Sequence, residues 1–253
     1  PGVSESPQKD KAMRTDLRPY WVKKAYLRFR DAYIDYFLRP RCSSLGPYAN
    51  IMKPWYVDIS GVNIRIGHSF TAVGEPSQRV QIGVWGREPN HGRISIGDGV
   101  LMSPGVRIVC SDEITIGDAV MMANGAYVTD CDWHGTYDRV DRPGNLTPVV
   151  IERNAWLGDG AKVLKGVTVG ENSIVAAGAI VTKDVPPNVI VAGNPAVIVK
   201  RLNPDEPIRT RLDLYGDPAG AAQFYDAIDR EVLANNKFLP WLMSVIYPRS
   251  RPD

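Results

Sequence analysis

The chain is poor in the residues that build metal centres and covalent frameworks. Its 253 residues include only three histidines (His68, His91, His134) and three cysteines (Cys42, Cys110, Cys131). The cysteines are odd in number, widely spaced and lack a Cys-x-x-Cys pair. That argues against a disulfide scaffold or a structural zinc site and fits a reducing cytoplasm. The histidines lie 23 and 43 residues apart, with no close pair, so a three-histidine zinc centre is not expected either. Net charge is scarce as well. Thirty Lys and Arg against 28 Asp and Glu leave +2, so no global basic field recruits nucleic acid. Long apolar runs are missing. Val189–Val199 is broken by Gly and Pro and falls short of the roughly 18 residues of a membrane span. The first ten residues contain no apolar h-region, so no secretory signal is expected there. What is present is 44% hydrophobic and 23% charged, an ordinary globular composition with room for one sizeable domain plus appendages.

The strongest feature is a repeat. From residue 151 an aliphatic side chain recurs every sixth position: Ile151, Leu157, Val163, Val169, Val175 and Val181. Four positions after each stands a small or β-branched residue: Ala155, Ala161, Val167, Ser173, Ala179 and Val185. Neither a helix nor an alternating strand has this period. The same phase appears earlier in broken form, through Ile96, Met102 and Ile108, then Ile116, Met122 and Val128. Aliphatic-Gly pairs such as Ile66-Gly67, Ile116-Gly117 and Val169-Gly170 mark many of the units. The spacing predicts a solenoid. Each unit makes one short strand and one corner, and three units close a triangular coil around stacked aliphatic columns.

The stretch Trp156-Leu157-Gly158-Asp159-Gly160-Ala161 through Val181-Thr182-Lys183-Asp184-Val185-Pro186-Pro187, followed by Val191-Ala192-Gly193-Asn194-Pro195-Ala196, resembles the hexapeptide-repeat acyltransferases. The resemblance covers roughly residues 60–202. It implies a mainly β fold, a left-handed parallel β-helix, and the residues on either side of it read as N-terminal and C-terminal helical extensions. The expected organisation is a polar tail and amphipathic capping helix over 1–56, the β-helix over 57–202 and a helical tail over 203–253. Interruptions fall near 73–79, 86–92 and 129–149, and the last is a long inserted loop.

In the N-terminal extension a helix is expected from about Asp16, with Val22, Tyr26, Phe29, Tyr33 and Phe37 on one face. Its basic character admits membrane-surface contact. A cap over the open end of the solenoid is the favoured reading. Near the C-terminus Asp217-Pro218 reads as the start of a second helix, with Phe224, Ile228 and Val232 as its apolar stripe. The apolar tail 238–247 is expected to pack on its own or a neighbouring subunit.

Acyl transfer from a thioester to a hydroxyl needs a base to accept the acceptor's proton, a task suited to imidazole. His134 lies in the long loop, where the resembled acetyltransferases carry their catalytic histidine, and is the expected general base. His68 and His91 read as surface residues. Asp130, Asp132, Asp138 and Asp141 are candidates to orient His134, and the sequence does not choose among them. Trp133, Asp132 and Asn124 are expected at the acceptor, with Asp112 a weaker candidate. Cys131 raises the rival of an acyl-cysteine intermediate. The resemblance implies acetyl-CoA as cosubstrate, lying along a groove between adjacent β-helices. Trp156, Asp159, Ala177, Thr182 and Lys183 line that groove, and Lys200 meets the nucleotide phosphates. It also implies a homotrimer with interfacial sites, and no metal is expected.

The chain departs from the maltose and galactoside acetyltransferases. It reads Asp-Trp-His-Gly where they carry Gly-His-Pro, and Ser103 where they place an acceptor-binding Asn. Their simple sugars are therefore in doubt as acceptors, and a carbohydrate or glycan precursor is the expected class. The alternatives are N-acetylation of an amino sugar and a non-catalytic trimerisation scaffold.

Overall fold

The structure, a computed structural model, describes residues 16–86, 88, 90–140, 144–203 and 205–247. The chain divides into two compact units, one built on Phe29–Ala222 and the other on the described parts of Pro1–Arg28 and Gln223–Asp253.

In the larger unit the described strands form three sheets of six, eight and six strands, and nearly every pairing is parallel. Successive strands go to different sheets and every third strand returns to the same one, so the chain winds as a three-walled β-solenoid. The six-residue period fixes which side chain points inward. Ile66, Ile96, Ile116, Ile151 and Val169 are in register on the first wall. Ala72, Met102, Met122, Leu157 and Val175 stack on the second. Ile59, Ile82, Ile108, Val128, Val163 and Val181 stack on the third. All of these are buried in a single core. Each such side chain, taken fully out of water, contributes about 1.5–3 kcal/mol.

The corners are where the backbone must leave the extended region. Between the second and third walls, Gly105, Gly125, Gly160 and Gly178 stand at φ +76°, +68°, +64° and +69°, a conformation glycine adopts without strain. Between the first and second walls Asn154, Asn172 and Asn188 take left-handed backbone. Their side chains form a ladder at 2.9 and 3.0 Å.

The N-terminal helix α1 (Tyr20–Tyr33) begins later than the sequence predicts. Asp16 is taken by Arg18, whose backbone N–H and guanidinium both donate to its carboxylate, and the first helical bond runs from Lys23 N–H to the carbonyl of Pro19. After a wider turn at Ile34–Leu38, Ile34 and Leu38 enter the solenoid core, and Phe29 and Tyr33 pack on Trp55.

The last full strand, Val189–Gly193, turns back as an antiparallel hairpin with Ala196–Arg201. A short helix α2 (Arg211–Tyr215), which the sequence reading did not include, is closed by a Thr210/Asp213 capping box. It is pinned by Arg211, which donates to the carbonyl of Gly99 and to Thr71 Oγ1.

Helix α3 (Pro218–Val232), which belongs to the smaller unit from Gln223 onward, starts where Asp217-Pro218 predicts, with Asp217 Oδ1 accepting the N–H of Gly220. Lys23 and Lys24 of α1 pair with Asp229 and Asp226. Trp21 stacks on Phe238 of α4 (Phe238–Ile246). Phe224, Ile228 and Val232 remain exposed. No described helix is long and apolar enough to cross a membrane.

Candidate active site

The third wall carries a pocket of about 530 Å3 on its outer face. Inward and outward positions alternate along a strand, so Asp58, Gln81, Arg107 and Tyr127 fall in one outward column, each in register with the next. Ser60, Gly83 and Val109 form the adjacent column. Trp85 and Trp133 complete the lining. Gly83 is required by closeness. A Cβ there would lie 2.7 Å from Trp85 Nε1, so the indole occupies the space a side chain would fill. The Arg107 guanidinium lies over the Tyr127 ring, 5.3 Å from its centroid. Trp133 Nε1–H donates to Tyr127 Oη at 3.4 Å. At the pocket's far edge Arg79 clamps Asp58 through two bonds of 2.6 and 2.7 Å, and this pairing holds the Asp58 carboxyl below the usual carboxylate range.

Trp133 comes from the long loop, whose neck is closed by an antiparallel bridge between Cys131 and Leu146 and by Thr147 N–H donating to the carbonyl of Asp130. The neck leaves the solenoid at the corner between the third and first walls. Asp130 is fully buried and does not face His134. Its carboxylate accepts the N–H groups of Ser111 and Asp112 at 2.8 and 2.7 Å and the Cys110 thiol at 3.2 Å, tying the loop to the coil before it. Asp132 pairs with Lys165 at 3.1 Å. Asp138 accepts the N–H of Val140, and Asp141 lies outside the described residues. None of the described candidates meets His134, whose ring is exposed next to Trp133 and makes no hydrogen bond or ion pair with a described residue.

The other two histidines are held. His68 Nε2 lies 3.1 Å from Asp98 Oδ2 and Nδ1 lies 3.1 Å from Ser69 Oγ, at the corner between the first and second walls. His91 Nε2 lies 3.4 Å from Asp112 Oδ1. Among the described residues no three His, Cys, Asp or Glu side chains gather as a metal site. Cys131 is buried, and that burial, followed by the charge of Asp130, pushes its thiol up to about 12. It is therefore protonated at neutral pH and unsuited to a covalent route.

The residues expected at the cosubstrate separate into groups. Asn124, Asp159 and Ala177 share the corner between the second and third walls. There Gly160 N–H donates to the carbonyl of Asn124 and Gly178 N–H to that of Asp159. A Cβ at Gly160 or Gly178 would meet nothing within 4 Å, so the backbone of this corner is open to a thin ligand. Ser103 sits lower on the same corner. Thr182 and Lys183 lie on the corner from which the long loop emerges, one coil beyond Lys165. Trp156 projects from the second wall between Met121 and Ile174, and Lys200 lies on the terminal hairpin beside Ile190. Lys183 and Lys200 are exposed and form no ion pair with a described residue. Asn124 and Asp132 are not among the pocket-lining residues, whereas Trp133 is.

The sequence reading missed Trp85, Arg107, Tyr127, Gln81, Asp58 and Ser60. Their signal is the outward phase of the third wall, readable only when the length of each coil is known.

Residues 148–183 match the family described as bacterial transferase hexapeptide (six repeats). The galactoside O-acetyltransferase of Escherichia coli is 32% identical over 163 residues, 64% of this chain and 64% of that enzyme, so the match spans less than two thirds of its length. Among solved structures, a hexapeptide-repeat acetyltransferase from Vibrio cholerae is 24% identical, with 73% of this chain and 93% of that chain covered and a TM-score of 0.44. A galactoside acetyltransferase in complex with coenzyme A is 23% identical, with coverages of 73% and 79% and a TM-score of 0.41.

Proposed function

We propose that this chain, which carries the bacterial transferase hexapeptide repeat, is an acyl-CoA-dependent acyltransferase. It moves an acetyl group directly to a hydroxyl of a carbohydrate or glycan precursor, in the cytoplasm where acyl-CoA is held. The observation that carries the reading is an exposed imidazole, His134, next in sequence to Trp133, which lines an aromatic pocket on a hexapeptide-repeat solenoid. The relationship to galactoside O-acetyltransferase supports the chemistry. With it go a left-handed coil, a β-helix over 57–202 flanked by helical extensions, and a homotrimer whose neighbouring subunit closes the groove.

The acceptor sits against Trp85, Tyr127 and Trp133, whose faces match the apolar face of a sugar ring while Gln81 and Ser60 address its hydroxyls. Trp133 walls the pocket beside the base and excludes water. Neutral His134 accepts the hydroxyl proton as the oxygen attacks the thioester carbonyl. The C–O bond forms, the C–S bond breaks, and the proton passes from the imidazolium to the departing sulfur. A backbone N–H supplies the donor for the oxyanion.

The donor fits the second corner. The bare glycine backbone beside Asp159 and Ala177 admits a slender amide chain and Trp156 flanks it, while Thr182 and Lys183, which stand on the other corner of the third wall, come to the groove from the neighbouring subunit of the proposed trimer. Lys183 and Lys200 bring unpaired positive charge for the nucleotide phosphates.

Free-thiol release from acetyl-CoA, measured across a panel of sugar and amino-sugar acceptors, tests the reading. Release that depends on a sugar hydroxyl supports it. Release only with amino sugars makes the enzyme an N-acetyltransferase, and absence of CoA binding leaves a scaffold.

A further inference from the structure

Arg107 is out of balance with its surroundings. It lines the pocket from the middle of the third wall, yet no carboxylate among the described residues pairs with it, and its guanidinium lies over the face of Tyr127, 5.3 Å from the centroid. The only acid of the lining, Asp58, is already neutralised by its two-pronged bond to Arg79. On the other side of Tyr127, one coil along in the same outward column, stands Lys162, exposed and likewise without an acid partner among the described residues. Tyr127 thus lies between two unmatched cations, and the pocket holds aromatic surface with a net positive field. A neutral sugar needs the aromatic surface and gains little from the charge. A guanidinium left free at a concave site offers a planar fork of donors suited to two oxygens of one oxyanion.

We propose that the acceptor is a carbohydrate bearing a carboxylate or phosphate, and that Arg107 binds that oxyanion and sets the preference for it. The sugar ring lies on Trp85, Tyr127 and Trp133 with the anionic substituent toward Arg107 and Lys162, leaving a hydroxyl toward the His134 side. The proposal rests on the acyltransferase reading for what happens to the ligand, but the pocket's binding preference stands independently of it.

Two measurements separate the claims. The first is quenching of tryptophan fluorescence, on titration with glucuronate, glucose 1-phosphate and glucose, in the wild type, Arg107→Gln and Arg107→Lys. The anionic sugars are expected to bind roughly 10- to 100-fold more tightly than glucose, the scale of a hydrogen-bonded charge. That margin disappears in Arg107→Gln, is partly restored in Arg107→Lys and shrinks with added salt. Tighter binding of one anion than the other assigns the oxyanion as carboxylate or phosphate. The second is thiol release with the same sugars. Arg107→Gln raises KM for the charged acceptors more than for the neutral ones, and Arg107→Lys partly restores that difference. Equal affinity of wild type for neutral and charged sugars, or an unaltered preference in Arg107→Gln, overturns the proposal. Selective anion binding that Arg107→Gln removes, without thiol release to any acceptor, upholds the pocket assignment while ending the acyltransferase reading. Displacement of the bound anion by the 3′-phosphate end of CoA alone, with no effect of acceptor, overturns it by giving Arg107 to the donor.

Discussion

The coils after the long loop and the coils before it are built on the same inward columns, yet differ outside. From Val149 to Val181 equivalent positions return every 18 residues, as in Trp156 and Ile174 or Lys162 and Ile180, and the last coil shortens to 16, from Ile174 to Ile190. The outward column of the earlier coils advances by 23, 26 and 20 residues, from Asp58 to Gln81, Arg107 and Tyr127. Every residue that lines the pocket lies in the earlier, irregular half or in the loop that ends it. A repeat can stack a column of open corners, which suits a long, thin donor. It cannot make a pocket, because each coil presents the same outline as the next. Interruptions supply what repetition cannot, by letting Trp85 fold over Gly83 and by carrying Trp133 outward.

The sharpest break between the halves comes from the core of the regular one. Leu157 is fully buried between Met122 and Val175, so Leu157→Ala costs about 2–5 kcal/mol. For a chain of this size the melting temperature falls by roughly 2–4 °C per kcal/mol. Differential scanning calorimetry reads it, and kcat at temperatures below the transition stays unchanged. Lys183→Ala in the same half removes an exposed charge. It is expected to raise KM for acetyl-CoA by up to about fivefold, the equivalent of about 1 kcal/mol, with kcat and melting temperature held. In the irregular half Cys131→Ser leaves kcat within about twofold, since a thiol pushed to about 12 supplies no thiolate at neutral pH. A large loss in steady-state kinetics would restore the covalent route.

The smallest expected effect concerns acid. Arg79 lowers the Asp58 carboxyl in the folded state, so the pair's contribution is complete above the unfolded carboxylate value of about 3.9 and is lost as pH falls through the lower folded value. Asp58→Asn therefore lowers the melting temperature slightly at neutral pH and makes the remaining acid limb shallower. Melting curves taken across the acid range check this.

The same contrast decides what could be read in advance. Ile151, Leu157 and Val163 announce the three walls because period six is unlike any other regular structure, and their stacking in the fold follows the phase they set. Asp217-Pro218 announces α3 because a cap is a local event. Arg107 and Tyr127 could not be recognised as neighbours, since their meeting depends on coil lengths that the interruptions alter. Asp130, Asp132 and Asp138 look alike in a loop sequence. Only burial separates the one that clamps Ser111 and Asp112 from the one that pairs with Lys165. The bonds from Lys23 and Lys24 to Asp229 and Asp226 join opposite ends of the chain and leave no short-range trace.

The proposed chemistry puts the base on the long loop and not on the solenoid corner. His68 already has an acid partner in Asp98, whereas His134 has none among the described residues and directly follows Trp133, which lines the pocket. Acceptor-dependent thiol release from acetyl-CoA by His134→Ala and His68→Ala, measured side by side, tests it directly. His134→Ala is expected to lose roughly 10²–10⁴-fold in kcat at unchanged melting temperature, while His68→Ala stays close to wild type. A collapse in His68→Ala with activity retained in His134→Ala would move the base, and the reaction, to the corner between the first and second walls.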